Sequence, residues 1–343
     1  MGAQVYGERW KIVEPIGEGG QAHTYKVVEI QGDNETFYVL KRLKNVKRLG
    51  RFKQEVEAIQ SLDHPNVIKL IDYDLDSDKP YLVTEFCRGG NLEEHVSKWS
   101  QNPVEAFRLF IQICEGVAAA HQHEKKVIVH RDLKPVNILL REPDGFPVIA
   151  DFGICYVEDG ERHTLVDEAA GPRLYIAPEL EDGRLEEVSP ASDVYSLGKL
   201  LYWLISGGKI FSREKHRDPQ FNLVQILDNG ILEHINRLLD KMIVSDPNQR
   251  IQDAAAVAAE ARKVARLLQG NYRVVSPNLP QLCMYCGEGH YKLIVEGAGE
   301  RLRNFGFTPM ASSDWRVMVC EQCGHVQLFR VDMAQRKDWW RKS

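Results

Sequence analysis

Nowhere in the 343 residues does an uninterrupted apolar run reach the ~18 positions that a membrane span requires. The longest candidate, Leu200 to Phe211, is broken by Ser206, Gly207, Gly208 and Lys209, so no membrane anchor is expected. The start, Met1 to Arg9, lacks the basic and then apolar pattern of a secretory signal, and Tyr6 stands where a myristoylation site carries Ser or Thr. A cytoplasmic protein is the resulting expectation. Charge of one sign is also in short supply: 44 Lys and Arg against 49 Asp and Glu leave a net charge of −5, which disfavours a polybasic nucleic-acid binder. Internal repeats are absent and low-complexity stretches scarce, and 43% apolar with 27% charged residues excludes the disordered and fibrous classes. At ~150 residues per domain, the length fits one large two-lobed unit and a small module.

Cysteine is sparse in most of the chain. Cys87, Cys114 and Cys155 are scattered, whereas Cys283, Cys286, Cys320 and Cys323 form two C-x-x-C pairs near the end. In a cytosolic chain that grouping favours a metal over disulfides.

Lys11 to Ile16, Thr24 to Ile30 and Thr36 to Leu43 alternate or cluster apolar residues, with Gly32-Asp33-Asn34 as turn chemistry between the last two. A short antiparallel sheet is predicted there. From Arg51 the period turns helical, with Phe52, Val56, Ile59 and Leu62 on one face before Asp63-His64-Pro65-Asn66 ends it. Beyond Gly89-Gly90 the pattern is mainly helical, as in Pro103 to His123, Ser192 to Ser206 and the alanine-rich Asp253 to Gln269. The expected division is residues 1–268 as one domain with lobes 1–86 and 87–268, a linker 269–282, and a small domain 283–343.

Ile16-Gly17-Glu18-Gly19-Gly20-Gln21-Ala22-His23-Thr24 lies between two strand signals, where glycines let the backbone fold closely over a polyphosphate and aim N–H groups at it. Taken alone, it reads more readily as a glycine-rich hairpin with no ligand. Downstream, Lys41 ends Val39-Leu40-Lys41, and Glu55 on the following helix is a carboxylate able to hold its charge. His130-Arg131-Asp132-Leu133-Lys134-Pro135-Val136-Asn137 is far more specific, and Asp151-Phe152-Gly153 follows a hairpin through Pro143-Asp144-Gly145. With Ala177-Pro178-Glu179, these motifs stand in the order and spacing of the eukaryotic-type Ser/Thr protein kinases, which residues ~8 to ~268 resemble.

The resemblance implies an α+β bilobal protein-kinase fold, β-rich in its N-lobe and α-rich in its C-lobe, with ATP and Mg2+ as cofactors and a protein substrate. Phosphoryl transfer needs alignment and neutralisation of phosphate oxygens more than covalent chemistry. On this template Lys41, fixed by Glu55, holds the nucleotide phosphates; Asn137 and Asp151 hold Mg2+; Asp132 is the catalytic base, and Lys134 beside it favours Ser/Thr hydroxyls. Thr84 matches the gatekeeper, and Glu85 and Cys87 the hinge that meets adenine. Glu179 and Arg250 resemble the buried pair anchoring the activation segment, and Asp193 the carboxylate bracing the catalytic loop. Ala22 replaces a glycine and Thr24 a valine of the family pattern, and Gly171-Pro172 replaces Gly-Thr, which bears on substrate preference and rate. Thr164, the only Ser or Thr between Asp151 and Glu179, is the candidate phosphosite, with Arg131 as a cation able to receive it.

Each pair of the four-cysteine tail is followed by glycine, Gly287 and Gly324, and 33 residues separate Cys286 from Cys320. Four thiolates in two tight turns point to tetrahedral Zn2+ bound by Cys283, Cys286, Cys320 and Cys323, with His290 and His325 as lesser alternatives. Tyr291 to Val295, Trp315 to Val319 and Val326 to Val331 have β-like composition, so the tail resembles a zinc ribbon. Trp339-Trp340, between Lys337 and Arg341, is read as packing on a neighbouring surface rather than stacking on a nucleic-acid base. The competing functional reading is a pseudokinase scaffold whose ribbon binds a protein or nucleic-acid partner. The presence of Lys41, Glu55, Asp132, Asn137 and Asp151 together favours the active enzyme.

Overall fold

The computed structural model describes residues 5–18, 22–32, 35–100, 102–152, 172–268, 283, 285–286, 291–296, 315–320 and 322–330. The chain divides into two compact units, Met1–Arg262 and Lys263–Ser343.

The first unit opens with a six-stranded antiparallel sheet formed by β1 (Val5–Tyr6), β2 (Trp10–Glu18), β3 (Ala22–Glu29), β4 (Phe37–Leu43), β5 (Leu70–Asp74) and β6 (Tyr81–Glu85). Its spatial order is β1-β2-β3-β4-β6-β5. Strand alternation gives it two apolar faces. Trp10, Val27, Leu40, Tyr81 and Val83 pack together on one. Leu43 and Leu82 pack with Phe52 and Val56 of helix α1 (Leu49–Ser61) on the other. Lys41 is two residues from Leu43 and pairs with Leu82, so its side chain shares the α1 face. That parity brings a cation beneath the helix.

Two strands were not anticipated. β1 is two residues long, too short to show a period, and β5 contains Asp72 and Asp74 at the sheet edge. Tertiary partners settle β5: it pairs with β6, and Trp10 Nε1 donates to Asp72 Oδ2 at 2.6 Å.

The helical lobe contains α2 (Val96–Ser100), α3 (Pro103–His121), α4 (Pro178–Glu181), α5 (Pro190–Ser206), α6 (Leu223–Ile226), α7 (Glu233–Asp240) and α8 (Ala254–Leu268), which runs across the unit boundary. α5 is its axis, buried from Ala191 to Ser206. Local chemistry sets its ends: Ser189 and Ser192 form a capping box, Pro190 opens the first turn, and Gly207 at φ 75° closes the last. The hairpin β7 (Ile138–Arg141) and β8 (Phe146–Ile149) lies against α3. Gly116 permits that approach, since a Cβ there would sit 2.7 Å from Ile149 Cδ1 and 2.8 Å from the Asn66 carbonyl.

The second unit carries a three-stranded antiparallel sheet of β9 (Tyr291–Glu296), β10 (Trp315–Cys320) and β11 (Val326–Arg330), with β10 central.

Candidate active site

Lys41 Nζ lies 2.7 Å from Glu55 Oε1 and 2.7 Å from Asp151 Oδ1. Three elements thus converge: β4 presents the amine, α1 one carboxylate, and the segment after β8 the other. Burial would push the Lys41 amine down, but Asp151 and Glu55 outweigh it and hold the group well above the ordinary lysine value. Lys41 in turn draws the Asp151 carboxyl below its ordinary value. Glu55 moves the opposite way, raised by burial and by Asp151 against the pull of Lys41. The lysine is therefore a fixed cation, and Asp151, half-exposed, is the carboxylate that faces outward.

The second cluster lies on the loop before β7. Lys134 Nζ is 3.0 Å from Asp132 Oδ2, and Asn137 Nδ2 donates to the same oxygen at 2.9 Å and to the Asp132 carbonyl at 2.7 Å. Both neighbours thus meet on Oδ2. Asn137 thereby commits its amide nitrogen to Asp132, which leaves its amide oxygen as the atom able to ligate a cation. Asp151 and Asn137 together offer hard oxygen ligands, which suit Mg2+.

Main-chain strain and buried polar bonds hold the two clusters in place. Arg131 and Asp151 adopt φ of 68° and 55°, the left-handed region that non-glycine residues occupy at a cost. Asp193, fully buried on α5, opposes that cost: its carboxylate accepts N–H bonds from His130 at 2.7 Å and Arg131 at 2.8 Å. Burial acts to raise the Asp193 carboxyl, yet His121, the nearby His130 ring and the Arg131 amide keep it below its ordinary value. His130 accepts from Asp132 N–H and reaches the Ala150 carbonyl through Nε2 at 3.1 Å, which ties the Asp132 loop to the Asp151 segment.

Glu179 and Arg250 form a pair with no exposed side-chain surface. Two guanidinium nitrogens donate to the two carboxylate oxygens at 2.8 and 2.7 Å, and Ser192 Oγ donates to Oε1 at 2.7 Å.

The glycine-rich segment is described only at its ends. Ile16, Gly17 and Glu18 close β2, while Ala22, His23 and Thr24 open β3, with Gly17 opposite Thr24 and Glu18 opposite His23. Gly19, Gly20 and Gln21 lie outside the described residues, as do Gly153, Thr164, Gly171, residues 269–282, His290 and Trp339-Trp340. Lys44 Nζ bonds Glu18 Oε1 at 2.6 Å and draws its carboxyl down. Thr84 is buried at the end of β6. Burial, assisted by Glu85, pushes the Cys87 thiol up to about 12, so it is a packing group rather than a nucleophile.

Two residues that support the site escaped sequence reasoning. His121 ends α3, and its Nε2 lies 2.9 Å from Asp193 Oδ2 while its Nδ1 accepts the Ala254 N–H at 3.2 Å. Nε2 is therefore the protonated nitrogen, and His121 joins α3, α5 and α8 at one carboxylate. Arg141 ends β7 and pairs with Glu85. Neither has a sequence signal of its own, since a lone histidine or arginine at an element's end is commonplace.

This architecture resembles solved structures of known proteins. The kinase domain of PknI from Mycobacterium tuberculosis superposes with a TM-score of 0.58 at 21% identity, covering 77% of this chain and 99% of that one, a likeness of fold. PrkC of Bacillus subtilis, a serine/threonine-protein kinase, is 29% identical over 273 residues, which is 76% of this chain and 41% of that protein. Wall-associated receptor kinase 2 of Arabidopsis thaliana is 32% identical over 256 residues, 73% of this chain and 34% of that protein. The chain thus spans less than half the length of these curated relatives. The family model of the protein kinase domain matches residues 10–262, most of the chain and the whole stretch that holds both clusters, and the chain belongs to the protein kinase family.

Proposed function

We propose that this chain transfers the γ-phosphoryl group of ATP to Ser or Thr hydroxyls of protein substrates. The observation that carries the reading is the position of Lys41, 2.7 Å from both Glu55 and Asp151, although Asp151 lies 110 residues away in sequence. That arrangement leaves a fixed cation and an outward carboxylate at the mouth of the glycine-rich hairpin. When bound, Mg-ATP supplies the phosphoryl group and part of the charge neutralisation. Asn137 and Asp151 would hold the metal, and Lys41 the phosphates, with the segment Ile16 to Thr24 proposed as their further contact. Glu85 and Cys87 are proposed to present the hinge backbone to adenine.

Asp132 orients the substrate hydroxyl through Oδ1 and accepts its proton there. Lys134 and Asn137, both on Oδ2, keep the carboxylate in place and leave Oδ1 for the substrate. Lys134 also adds a cation where charge develops on the transferring group. The sequence identity with PrkC supports Ser/Thr rather than Tyr as the acceptor. We read 1–268 as the kinase domain, 269–282 as a linker and 283–343 as a separate small module, with Thr164 as an acceptor in the activation segment.

The test is incubation with Mg-ATP, followed by intact mass and phosphopeptide mapping, for the chain and its Asp132→Asn form. The expected result is phosphate on Ser or Thr, Thr164 included, in the unaltered chain and none in the variant, which still binds nucleotide. Undiminished transfer by Asp132→Asn would remove Asp132 from its role. A chain that binds ATP but never transfers phosphate would point to a scaffold instead.

A further inference from the structure

Cys320 is the last residue of β10, and Cys323 lies in the turn that leads into β11. Cys320 pairs in register with Tyr291, the first residue of β9, and Cys283 and Cys286 precede that strand by a few residues. The sheet therefore brings the two cysteine turns together at one end of its central strand. All four sulfurs lie within 4.8 Å of one another. Two of the contacts run between the turns: Cys283 Sγ to Cys323 Sγ is 3.7 Å, and Cys286 Sγ to Cys320 Sγ is 3.7 Å.

Those two separations identify the geometry. A tetrahedral ion with metal–sulfur bonds of ~2.3 Å has sulfur–sulfur edges of about 3.8 Å, whereas a disulfide needs about 2.05 Å. The sulfurs are thus spaced as ligands to a common centre. The turns are also shaped to carry thiolates. Tyr285 N–H donates to Cys283 Sγ at 3.3 Å, and Gly324 at φ 72° lets its N–H return to the Cys320 carbonyl at 3.0 Å. The Tyr285 N–H offsets part of the negative charge that four thiolates concentrate around one ion, and the Gly324 bond closes the second turn.

We propose that Cys283, Cys286, Cys320 and Cys323 bind one Zn2+ per chain in a closed, structural tetrathiolate site. Zinc is favoured over iron by exposure: Cys323 is exposed and Cys286 half-buried, so the centre is open to solvent oxidants, which a redox-inert ion withstands. The ion is structural because four protein ligands complete its shell. Cys283 and Cys320 are buried with Cys286 packed against them, so the cysteines gather into a core of their own, to whose stability metal ligation would contribute. The site is independent of phosphotransfer, and none of its measurements passes through Asp132.

Full-length protein purified without chelator should contain about one zinc per chain by elemental analysis. X-ray absorption at the zinc edge should show four sulfur scatterers at ~2.3 Å and no nitrogen. Cobalt(II) exchanged into the site should give the intense visible bands of a tetrahedral thiolate. In the Cys283→Ser and Cys320→Ser double variant, zinc should fall below a tenth of the original content. Several results would overturn the assignment: iron with thiolate charge-transfer colour in place of zinc, a disulfide within either pair, or zinc retained by the double variant. A mixed shell of three sulfurs and one nitrogen would replace a cysteine with His325, whose Nδ1 lies 3.9 Å from Cys283 Sγ. The absorption measurement uses the unaltered chain and stands even if the double variant does not fold.

Discussion

Arg141 grips Glu85 with two parallel hydrogen bonds, Nε to Oε2 at 2.7 Å and Nη2 to Oε1 at 2.6 Å, while its third nitrogen donates to the Pro65 carbonyl at 2.6 Å. Glu85 also accepts the Lys69 N–H through its side chain at 2.9 Å. Burial works to raise the Glu85 carboxyl, and Arg141 with the Lys69 amide more than reverses it. One guanidinium thus fastens the end of β6 to the hairpin of the other lobe and to the turn before β5, immediately behind the segment assigned to adenine.

Replacing Arg141 by Ala should loosen that segment without touching the reacting groups. The expected cost is on the order of 1 kcal/mol, or about fivefold in KM for ATP, because the pair is partly solvated. The kcat should change less, and Arg141→Lys should restore only part of the loss, since an ammonium cannot form the two-bonded fork. Initial rates at varied ATP concentration give the comparison, and an unaltered KM in Arg141→Ala would separate this pair from nucleotide binding.

Lys41→Met should lower kcat by about a hundredfold or more while nucleotide still binds, since the ammonium contributes alignment and charge at the transferring group. The substitution also leaves the Glu55 and Asp151 carboxylates without their shared cation. Single-turnover rates together with nucleotide titration separate the two effects. A rate within a factor of ~3 of the unaltered chain would place Lys41 outside the chemistry.

Arg250→Met should destabilise the helical lobe by about 3–5 kcal/mol, because it strands the Glu179 carboxylate in a fully buried position. Burial alone would raise the Glu179 carboxyl, but bonds from Arg250 and Ser192 hold it below the ordinary 4.5. A folded-state value below the unfolded one means that the unfolded chain binds more protons in that range. The stabilisation is therefore complete above pH 4.5 and is lost as pH falls through the lowered folded value. Urea unfolding at several acidic pH values, for the chain and for Arg250→Met, should show a steeper acid loss in the unaltered chain. Parallel pH profiles would contradict it.

Much of the site was legible in the sequence because its chemistry is concentrated in short runs. His130 to Asn137 contains the proposed base, its lysine and its amide within eight consecutive residues, and the local turn brings Asn137 back onto Asp132. Lys41 was readable in the same way from Val39-Leu40-Lys41, and α1 from the helical period that puts Phe52, Val56 and Ile59 on one side. The four cysteines stood out through spacing alone. His121 and Arg141 did not, because each acquires its role only from a partner 72 or 56 residues away. The strand Leu70–Asp74 was hidden for a related reason: its aspartates suit a sheet edge only when Trp10 and the neighbouring strand are already in place.

The sequence by itself determined which groups are available and what each can do: a cation on a strand, carboxylates of two kinds, an amide and a lysine beside one of them, and four thiols in glycine-ended turns. Hydrophobic period and turn chemistry act over a few residues, and they are enough to set element types and the parity of each side chain. Only the tertiary structure decided the distances. It placed Asp151 at Lys41, closed Arg250 on Glu179, and aligned two cysteine turns at a tetrahedral edge length. Charge interactions and metal ligation depend on separations of a few ångströms between residues far apart in the chain, and such separations exist only once the intervening cores have packed.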